Sequence, residues 1–162
     1  MRELVILCVE DEPEVRTVLV RDLEPFARAA RIEETTDAAE AREVIATLAT
    51  AGDQVGLVLC DHRLPGLRGV DFLVELQADP RTRAAKKVLV TGQAGLEDTI
   101  RALNEARIDH YIAKPWAVRD LQRIVRALLT DFVIEHADDL LPYVRVLDGE
   151  RILEALSDRL DD

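Results

Sequence analysis

Residues 4–12 read LVILCVEDE, six apolar residues followed directly by three carboxylates. A short apolar run of this kind is typical of a strand buried inside a parallel sheet. Pro13 suits the first position of a helix, and apolar residues then recur at helical spacing as far as Phe26. The stretch therefore predicts a buried strand at 4–9, an acidic loop and an amphipathic helix from Pro13.

The same alternation of short apolar runs and amphipathic stretches continues along the chain. Further strands are predicted at 32–35, 55–60, 87–90 and 108–113, and helices at 38–50, 70–77, 96–106 and 116–128. Asp37 suits the N-cap of the second helix, Gly52 suits its end, and residues 62–66 are predicted to form a loop. Strand–helix units in this order predict a doubly wound α/β domain with a five-stranded parallel sheet, whose ligands bind beyond the carboxyl ends of the strands.

Polar residues follow four of the predicted strands. They are Glu10, Asp11 and Glu12 after the first strand, Asp61 after the third, Thr91 after the fourth and Lys114 after the fifth. Clustered carboxylates repel one another unless a hard divalent cation neutralises them, and Mg²⁺ prefers such oxygen ligands. A carboxylate nucleophile beside a metal ion, a hydroxyl and an amine suits phosphoryl transfer, because the cations offset charge on the phosphoryl oxygens.

Residues 2–130 resemble the receiver domain of two-component response regulators. The motifs that carry the resemblance are Glu10-Asp11-Glu12, Asp61-His62-Arg63-Leu64-Pro65 with Gly69 beyond, Thr91-Gly92, and Tyr111 three places before Lys114-Pro115. Each motif is common alone, whereas their order and their placement at strand ends are specific. The resemblance implies a flavodoxin-like sheet with strand order 2-1-3-4-5, a receiver domain at 1–130, and no enzymatic activity beyond the domain's own phosphorylation and dephosphorylation.

The resemblance also implies how a phosphoryl group would be received. Asp61 is expected to be the phosphoacceptor, attacking a phosphohistidine on a partner histidine kinase or phosphotransfer protein. Mg²⁺ is the expected cofactor, held by Glu10, Asp11, Asp61 and the backbone carbonyl of Arg63. Because the family's acidic pair is most often two aspartates, the longer Glu10 is expected to contact the metal through water. Lys114 is expected to bind a phosphoryl oxygen.

A second set of matching residues concerns the response to phosphorylation. Pro115 is expected to follow a cis peptide bond. Thr91 is expected to hydrogen-bond the new phosphoryl group, and Tyr111 to turn into the space that Thr91 leaves. That movement would change the face formed by the helix at 96–106 and the fifth strand, where family members usually dimerise or dock targets. The alternative for Tyr111 is an ordinary aromatic residue of an edge strand.

Residues beside the acceptor vary within the family. Arg63 and Gln93 flank the expected phosphoryl group, so we expect both to influence how long Asp61 stays phosphorylated. His62 is interpreted as a surface residue of the loop rather than a catalytic base. Trp116 is interpreted as a packing anchor at the start of the last receiver helix.

Residues 131–162 form an acidic amphipathic extension, in which ten acids and three arginines leave −7 of the chain's net charge of −11. Its apolar residues keep near-helical spacing on both sides of a break predicted at Asp148-Gly149, so we predict two helices. Neither can bury its apolar stripe unaided, and they could fold back on the receiver, pair with a second copy or lead into a further domain. Homodimerisation or partner docking is favoured over packing on the same chain.

Composition limits the remaining classes of function. The net charge of −11 disfavours direct binding of nucleic acid, and no apolar run approaches the length of a membrane span, which favours a cytoplasmic protein. Cys8 and Cys60 stand inside apolar runs and fit neither a metal cluster nor a redox motif. The three histidines lie far apart in sequence, which leaves a zinc site without support.

Several functions remain open from the sequence. The leading hypothesis is a phosphorylation-activated response regulator that signals through altered contact with a downstream protein. The alternative makes the chain the regulatory segment of a larger enzyme, such as a cyclic-dinucleotide phosphodiesterase or a hybrid kinase. A haloacid-dehalogenase-like phosphatase would need an aspartate two residues after Asp61, where Arg63 stands. Flavin binding would need a phosphate loop after the first strand, where three acids would repel a phosphate.

Overall fold

A five-stranded parallel sheet forms the centre of the molecule in the computed structural model, which describes residues 2–92 and 102–162. The strands are β1 (Leu4–Val9), β2 (Arg31–Thr35), β3 (Gln54–Asp61), β4 (Lys86–Thr91) and β5 (His110–Ala113). Their order across the sheet is β2-β1-β3-β4-β5, with every neighbouring pair parallel. The predicted flavodoxin-like fold class and strand order are therefore confirmed.

Five α-helices accompany the strands in the described ranges. They are α1 (Pro13–Asp22), α2 (Ala38–Ala51), α3 (Gly69–Ala78), α4 (Val118–His136) and α5 (Gly149–Asp161). The predicted helix at 96–106 falls largely outside the described residues, and only its end, Ala102–Ala106, is seen as a short π-helical turn. Within residues 2–92 and 102–162, no helix is both long enough and apolar enough to cross a membrane.

Local signals set several helix boundaries as the sequence predicts. The Asp37 side chain caps α2 by accepting a hydrogen bond from the Glu40 backbone N–H at 2.8 Å. Gly52 ends the same helix with a φ of +81°, a left-handed conformation that glycine adopts without steric cost. The segment after Asp61 is more ordered than the predicted loop, because Arg63–Leu64 and Leu67–Arg68 pair as two short antiparallel strands.

The core consists of two apolar layers, one on each face of the sheet. One layer lies under α2 and α3 and includes Val5, Val58 and Leu73. The other lies under α1 and α4 and includes Ile6, Leu59 and Val125. Strands β1 and β3 contribute to both layers, which explains why their sequences are apolar without alternation.

The predicted boundary between two structural units at residue 130 falls inside a single helix. Helix α4 runs unbroken from Val118 to His136, because Phe132 and Val133 continue the apolar stripe begun by Leu121 and Val125. The prediction of a separate first helix in the extension is therefore wrong. A short 3₁₀ turn at Leu141–Tyr143 follows α4.

The predicted break at Asp148-Gly149 lies at the start of the second helix of the extension. The Asp148 side chain caps α5 by accepting a hydrogen bond from the Arg151 backbone N–H at 3.2 Å. Helix α5 then continues to Asp161. The predicted break is therefore confirmed as a helix start, with Asp148 as the N-cap.

The extension folds back on the same chain and buries part of its apolar stripe there. Leu140, Leu147 and Ile152 are buried in the core layer that also contains Leu4 and Phe132. The expectation that favoured dimerisation or docking over intrachain packing is wrong for these side chains. The reason is that the end of α4 and the amino end of β1 present an apolar surface that the extension covers.

We predict that Ile152→Ala lowers the free energy of unfolding by about 2–5 kcal/mol, because it removes a fully buried side chain from a packed layer. Its neighbour Leu153 is 54% exposed, so Leu153→Ala should change the free energy by less than about 0.5 kcal/mol. Urea unfolding of both variants measures the difference. Equal effects of the two substitutions would show that the extension does not share the core.

Candidate functional site

Three charged side chains from different strand ends meet at the carboxyl edge of the sheet. Glu10 follows β1, Asp61 is the last residue of β3, and Lys114 follows β5. The Lys114 Nζ lies 2.7 Å from Glu10 Oε1 and 3.1 Å from Asp61 Oδ1. The sequence-based prediction that parallel strands bring these residues together is borne out by these distances.

The two carboxylates that share Lys114 are withdrawn from water. Glu10 is 1% exposed and Asp61 is 4% exposed. The second carboxylate oxygen of Glu10 accepts a hydrogen bond from the Glu12 backbone N–H at 3.2 Å. A buried charge of this kind is tolerated only when it is paired and hydrogen-bonded, so Lys114 is a structural requirement of the edge.

Asp11 adds a third carboxylate to the same edge. One carboxylate oxygen each from Glu10, Asp11 and Asp61 lie within 4.8 Å of one another. Three hard oxygen ligands at this separation fit Mg²⁺, which binds through a few carboxylates and keeps several of its waters. The donor set is therefore suited to the expected metal ion, and it contains no sulfur or imidazole ligand.

The environment shifts the proton affinity of Glu10. Burial raises its pKa from about 4.5 to about 6, and the charge of Asp61 acts in the same direction, while the hydrogen bond from Lys114 opposes the shift. For Lys114, burial favours the neutral amine, but its bonds to Glu10 and Asp61 outweigh burial and raise its pKa. The site therefore has a permanent cation and one carboxyl that can take up a proton near neutral pH.

The turn after β3 fixes the position of Asp61. The His62 backbone N–H donates to the Val90 carbonyl at 2.9 Å, and the Gly69 N–H donates to the His62 carbonyl at 2.7 Å. A Cβ on Gly69 would lie 2.1 Å from the Asp61 carbonyl oxygen, so only glycine fits this approach. The turn is therefore closed directly after Asp61.

His62 itself is buried, with 6% of its surface exposed. Its interpretation as a surface residue is wrong. The His62 backbone is held between the Val90 carbonyl and the Gly69 N–H, an arrangement that the loop composition alone does not reveal. Arg63, the next residue, is exposed and lines an open pocket of 360 Å³ together with Asp61, Lys114 and Gly92.

The residues expected to respond to phosphorylation lie at the same end of the sheet. Thr91 ends β4 and is 3% exposed, and its carbonyl accepts a hydrogen bond from the Lys114 N–H at 2.8 Å. Tyr111, on the neighbouring strand β5, is 52% exposed. The Lys114–Pro115 peptide bond is cis. Gln93 lies outside the described residues.

Arg16 is a residue of the site that the sequence reasoning did not select. Its guanidinium donates to the Glu10 backbone carbonyl at 2.9 Å and lies 3.7 Å from a carboxylate oxygen of Glu34 on β2. Arg16 is thus a second cation that holds the acidic loop, acting on its backbone. Its position one turn into α1, directly after the acidic loop, is the signal that could have found it.

Trp116 lies outside the helix that follows it and packs against the core layer under α1 and α4. Its indole N–H donates to the buried Asp22 carboxylate at 2.9 Å, and Gln122 donates to the Asp22 carbonyl at 3.0 Å. The end of α1 and the start of α4 are joined by these bonds. The interpretation of Trp116 as a packing anchor agrees with them.

Comparison with known proteins defines the class to which the chain belongs. Residues 6–126 match the family model of the response regulator receiver domain. The chain therefore belongs to the receiver domain family of response regulators, which confirms the resemblance seen in the sequence. A receiver domain is a signalling domain, and no family of catalytic enzymes is indicated.

Curated relatives share part of their length with this chain. The hydrogenase transcriptional regulatory protein HoxA of Cupriavidus necator is 34% identical over 125 residues, which cover 77% of this chain and 24% of HoxA. The phosphate regulon transcriptional regulatory protein PhoB of Escherichia coli is 34% identical over 73 residues, 45% of this chain and 31% of PhoB. The chain thus spans about a quarter to a third of these relatives.

Solved structures show the same fold. A signal receiver domain of an HD domain-containing protein from Pseudomonas fluorescens Pf-5 aligns with a TM-score of 0.72 at 25% identity, covering 83% of this chain and 93% of that one. The receiver domain of the sensor histidine kinase PA1611 from Pseudomonas aeruginosa PAO1 aligns with a TM-score of 0.63 at 26% identity, covering 80% and 98%. That structure holds a magnesium ion coordinated in its active site cleft.

We predict that Lys114→Met lowers the free energy of unfolding by about 3–5 kcal/mol near pH 7.5, because two buried carboxylates lose their cation. The loss should shrink near pH 5. Because the pKa of Glu10 in the folded chain is raised to about 6, its carboxyl is mostly protonated at pH 5 and mostly ionised at pH 7.5. The ionised form weakens the fold as the pH rises through about 6, and only this form needs the cation.

Urea unfolding at the two pH values measures this difference. The control is Lys86→Met, which removes a cation paired with the exposed Glu135 and should cost less than about 1 kcal/mol at either pH. A loss for Lys114→Met that is equal at both pH values would contradict the assignment of Glu10 as the titrating group.

Proposed function

We propose that the chain is a phosphorylation-controlled signalling switch, in which Asp61 accepts a phosphoryl group and the output is altered protein contact. The observation that carries the proposal is the placement of the Asp61 carboxylate 3.1 Å from Lys114 Nζ, at an open pocket beside two further acids. Membership of the receiver family supports it. We assign the receiver to residues 1–130 and treat 131–162 as an extension that packs on it.

The proposed reaction moves a phosphoryl group from nitrogen to oxygen. A carboxylate oxygen of Asp61 attacks the phosphorus of a phosphohistidine on a partner kinase or phosphotransfer protein. The P–O bond forms as the P–N bond breaks, and the imidazole leaves with the bonding electron pair. Lys114 lies close enough to the acceptor to offset charge on a phosphoryl oxygen.

Mg²⁺ is the proposed cofactor, and Glu10, Asp11 and Asp61 are its proposed side-chain ligands, with the Arg63 carbonyl as a further ligand. When bound, the ion would neutralise the carboxylates and polarise the phosphoryl group. The pairing of Glu10 Oε1 with Lys114 supports a contact of Glu10 with the ion through water. The magnesium-bound receiver of PA1611 supports the same site in a related structure.

Thr91 and Tyr111 are proposed to transmit the phosphorylated state. Thr91 lies at the end of β4, one strand away from Asp61, where its hydroxyl is suited to donate to a phosphoryl oxygen. Tyr111 is half exposed on the neighbouring strand, and we propose that it turns inward when Asp61 is phosphorylated. Such a turn would alter the surface at β5, where a downstream protein or a second copy would bind.

A groove beside the acceptor pocket is the proposed contact surface for the kinase or phosphotransfer protein. Val15 and Val18 of α1 line it on one side, and Trp116 and Val118 line it on the other. The groove reaches Lys114, which also lines the acceptor pocket. A partner seated on these apolar side chains would bring its phosphohistidine to the open side of Asp61.

A second function is supported by the length of the relatives. HoxA and PhoB are much longer than the matched segment, and one structural neighbour is the receiver of an HD domain-containing protein. In this second function the chain is the regulatory segment of a larger protein. The same phosphoryl chemistry would then control that protein, such as a cyclic-dinucleotide phosphodiesterase or a hybrid kinase. We propose a cytoplasmic location for either form, with no direct contact of this segment with nucleic acid or membrane.

Incubation with a small phosphodonor and Mg²⁺ is expected to add one phosphoryl group to the wild-type chain, measured by intact-protein mass spectrometry. Asp61→Asn should abolish the addition, because the amide lacks the nucleophilic oxygen charge. Asp120→Asn, which alters an exposed carboxylate on α4, should leave it unchanged. Undiminished addition in Asp61→Asn would exclude Asp61 as the acceptor.

We expect Arg63→Ala to shorten the lifetime of phosphorylated Asp61 several-fold. The Arg63 side chain borders the acceptor pocket, so its removal opens a path for the water that hydrolyses the acyl phosphate. The matched control is Arg68→Ala, which removes the arginine opposite Arg63 in the same hairpin. Decay is followed by mass spectrometry after removal of the phosphodonor, and an unchanged decay rate in Arg63→Ala would refute the assigned role.

A further inference from the structure

The extension carries one row of leucines that the core covers only in part. Leu153, Leu156 and Leu160 follow one another at helical spacing along one side of α5, and we call them the leucine flank. Leu153 is 54% exposed and Leu160 is 85% exposed, while Leu156 is partly buried. Two of the five large apolar side chains that are exposed in the described residues therefore lie on this one helix.

The other side of α5 is already seated on the chain. Ile152 is fully buried in the core layer, and the Arg151 guanidinium pairs with Asp131 at 2.6 Å. The Arg159 guanidinium donates to the carbonyls of Ile134 and Asp138, at 2.9 Å and 3.2 Å. Helix α5 is therefore held in one orientation, in which Leu156 packs against the core while Leu153 and Leu160 remain exposed.

The charges around the leucine flank have one sign. Both arginines of α5 are engaged by α4 and the residues after it. The acids on the outer side of the helix are exposed; they are Glu150, Glu154, Asp158 and Asp161. We call these four residues the acidic rim. An apolar row bordered by uncompensated carboxylates complements a partner that carries both apolar and basic side chains.

We propose that the leucine flank and the acidic rim form a docking surface for a basic amphipathic helix of another protein. Leucines of the flank would cover the apolar face of that helix, and its lysines or arginines would pair with the rim. A second copy of this chain is a poorer occupant, because its own acidic rim would face the first.

The position of α5 separates this surface from the acceptor site. Helix α5 packs against the second half of α4, and the extension reaches the layer around Leu4, at the amino end of β1. Asp61 lies at the carboxyl end of the sheet. The proposal goes beyond the proposed function and does not rest on it, since docking at α5 needs no phosphoryl group.

The test uses the full chain and a synthetic, dye-labelled peptide with leucines at heptad spacing and lysines beside them. A second peptide with glutamates in place of the lysines is the matched probe. Fluorescence anisotropy should show binding of the basic peptide alone, weakened by added salt. The double substitution Leu153→Ser and Leu160→Ser should weaken binding at least tenfold. Leu141→Ser, at a 66% exposed leucine outside α5, should leave it unchanged.

The acidic rim is tested separately. Glu154→Gln with Asp158→Asn should weaken binding several-fold, whereas Glu43→Gln, at an exposed glutamate on α2, should not. The double variant Leu153→Ser and Leu160→Ser should keep the wild-type unfolding midpoint and the wild-type uptake of a phosphoryl group. This result separates the test of the docking surface from the test of the proposed function.

Three results would overturn the proposal. One is equal binding of the basic and acidic peptides, and another is binding that survives the double leucine substitution. The third is self-association of the wild-type chain in sedimentation experiments that the double substitution abolishes, which would assign the surface to a second copy.

Discussion

The ammonium group of Lys114 is shared between the Glu10 and Asp61 carboxylates, and the carboxyl edge of the sheet depends on this contact. Two buried carboxylates this close to one another would be strongly unfavourable without a cation between them. Glu10 follows β1, Asp61 ends β3 and Lys114 follows β5. The Lys114 side chain therefore joins the ends of three strands. This arrangement is open to a parallel sheet because every carboxyl end lies on the same edge.

Lys114 compensates only part of the charge at that edge. The pKa of Glu10 remains raised to about 6 despite its bond to Lys114, because burial and the charge of Asp61 both disfavour the carboxylate. Asp11 adds a further carboxylate within the same 4.8 Å cluster. The edge thus favours any additional positive charge, whether a proton on Glu10 or a divalent ion. A fold that left the edge fully neutralised would have no such preference.

The sequence predicted the strands and the residues at their ends, because short apolar runs determine where strands stop and a parallel sheet determines which ends meet. It did not predict the burial of His62, which depends on tertiary packing around the turn after Asp61 and not on the composition of that turn. It also missed Arg16, because its main partner is a backbone carbonyl and only its position just after the acidic loop points to that contact. The extension was misjudged for another reason: its apolar periodicity shows which residues need a cover, but not which surface supplies it.

Helix α4 runs from the carboxyl edge of the sheet to the extension, and different contacts fix its two ends. Near its start, Gln122 bonds to the Asp22 carbonyl. Near its end, Arg159 bonds to the carbonyls of Ile134 and Asp138. The residues before α4 are anchored as well, because the Trp116 indole N–H donates to the Asp22 carboxylate at 2.9 Å. The carboxyl edge of the sheet and helix α5 therefore lie near opposite ends of α4, and separate sets of hydrogen bonds hold those two ends.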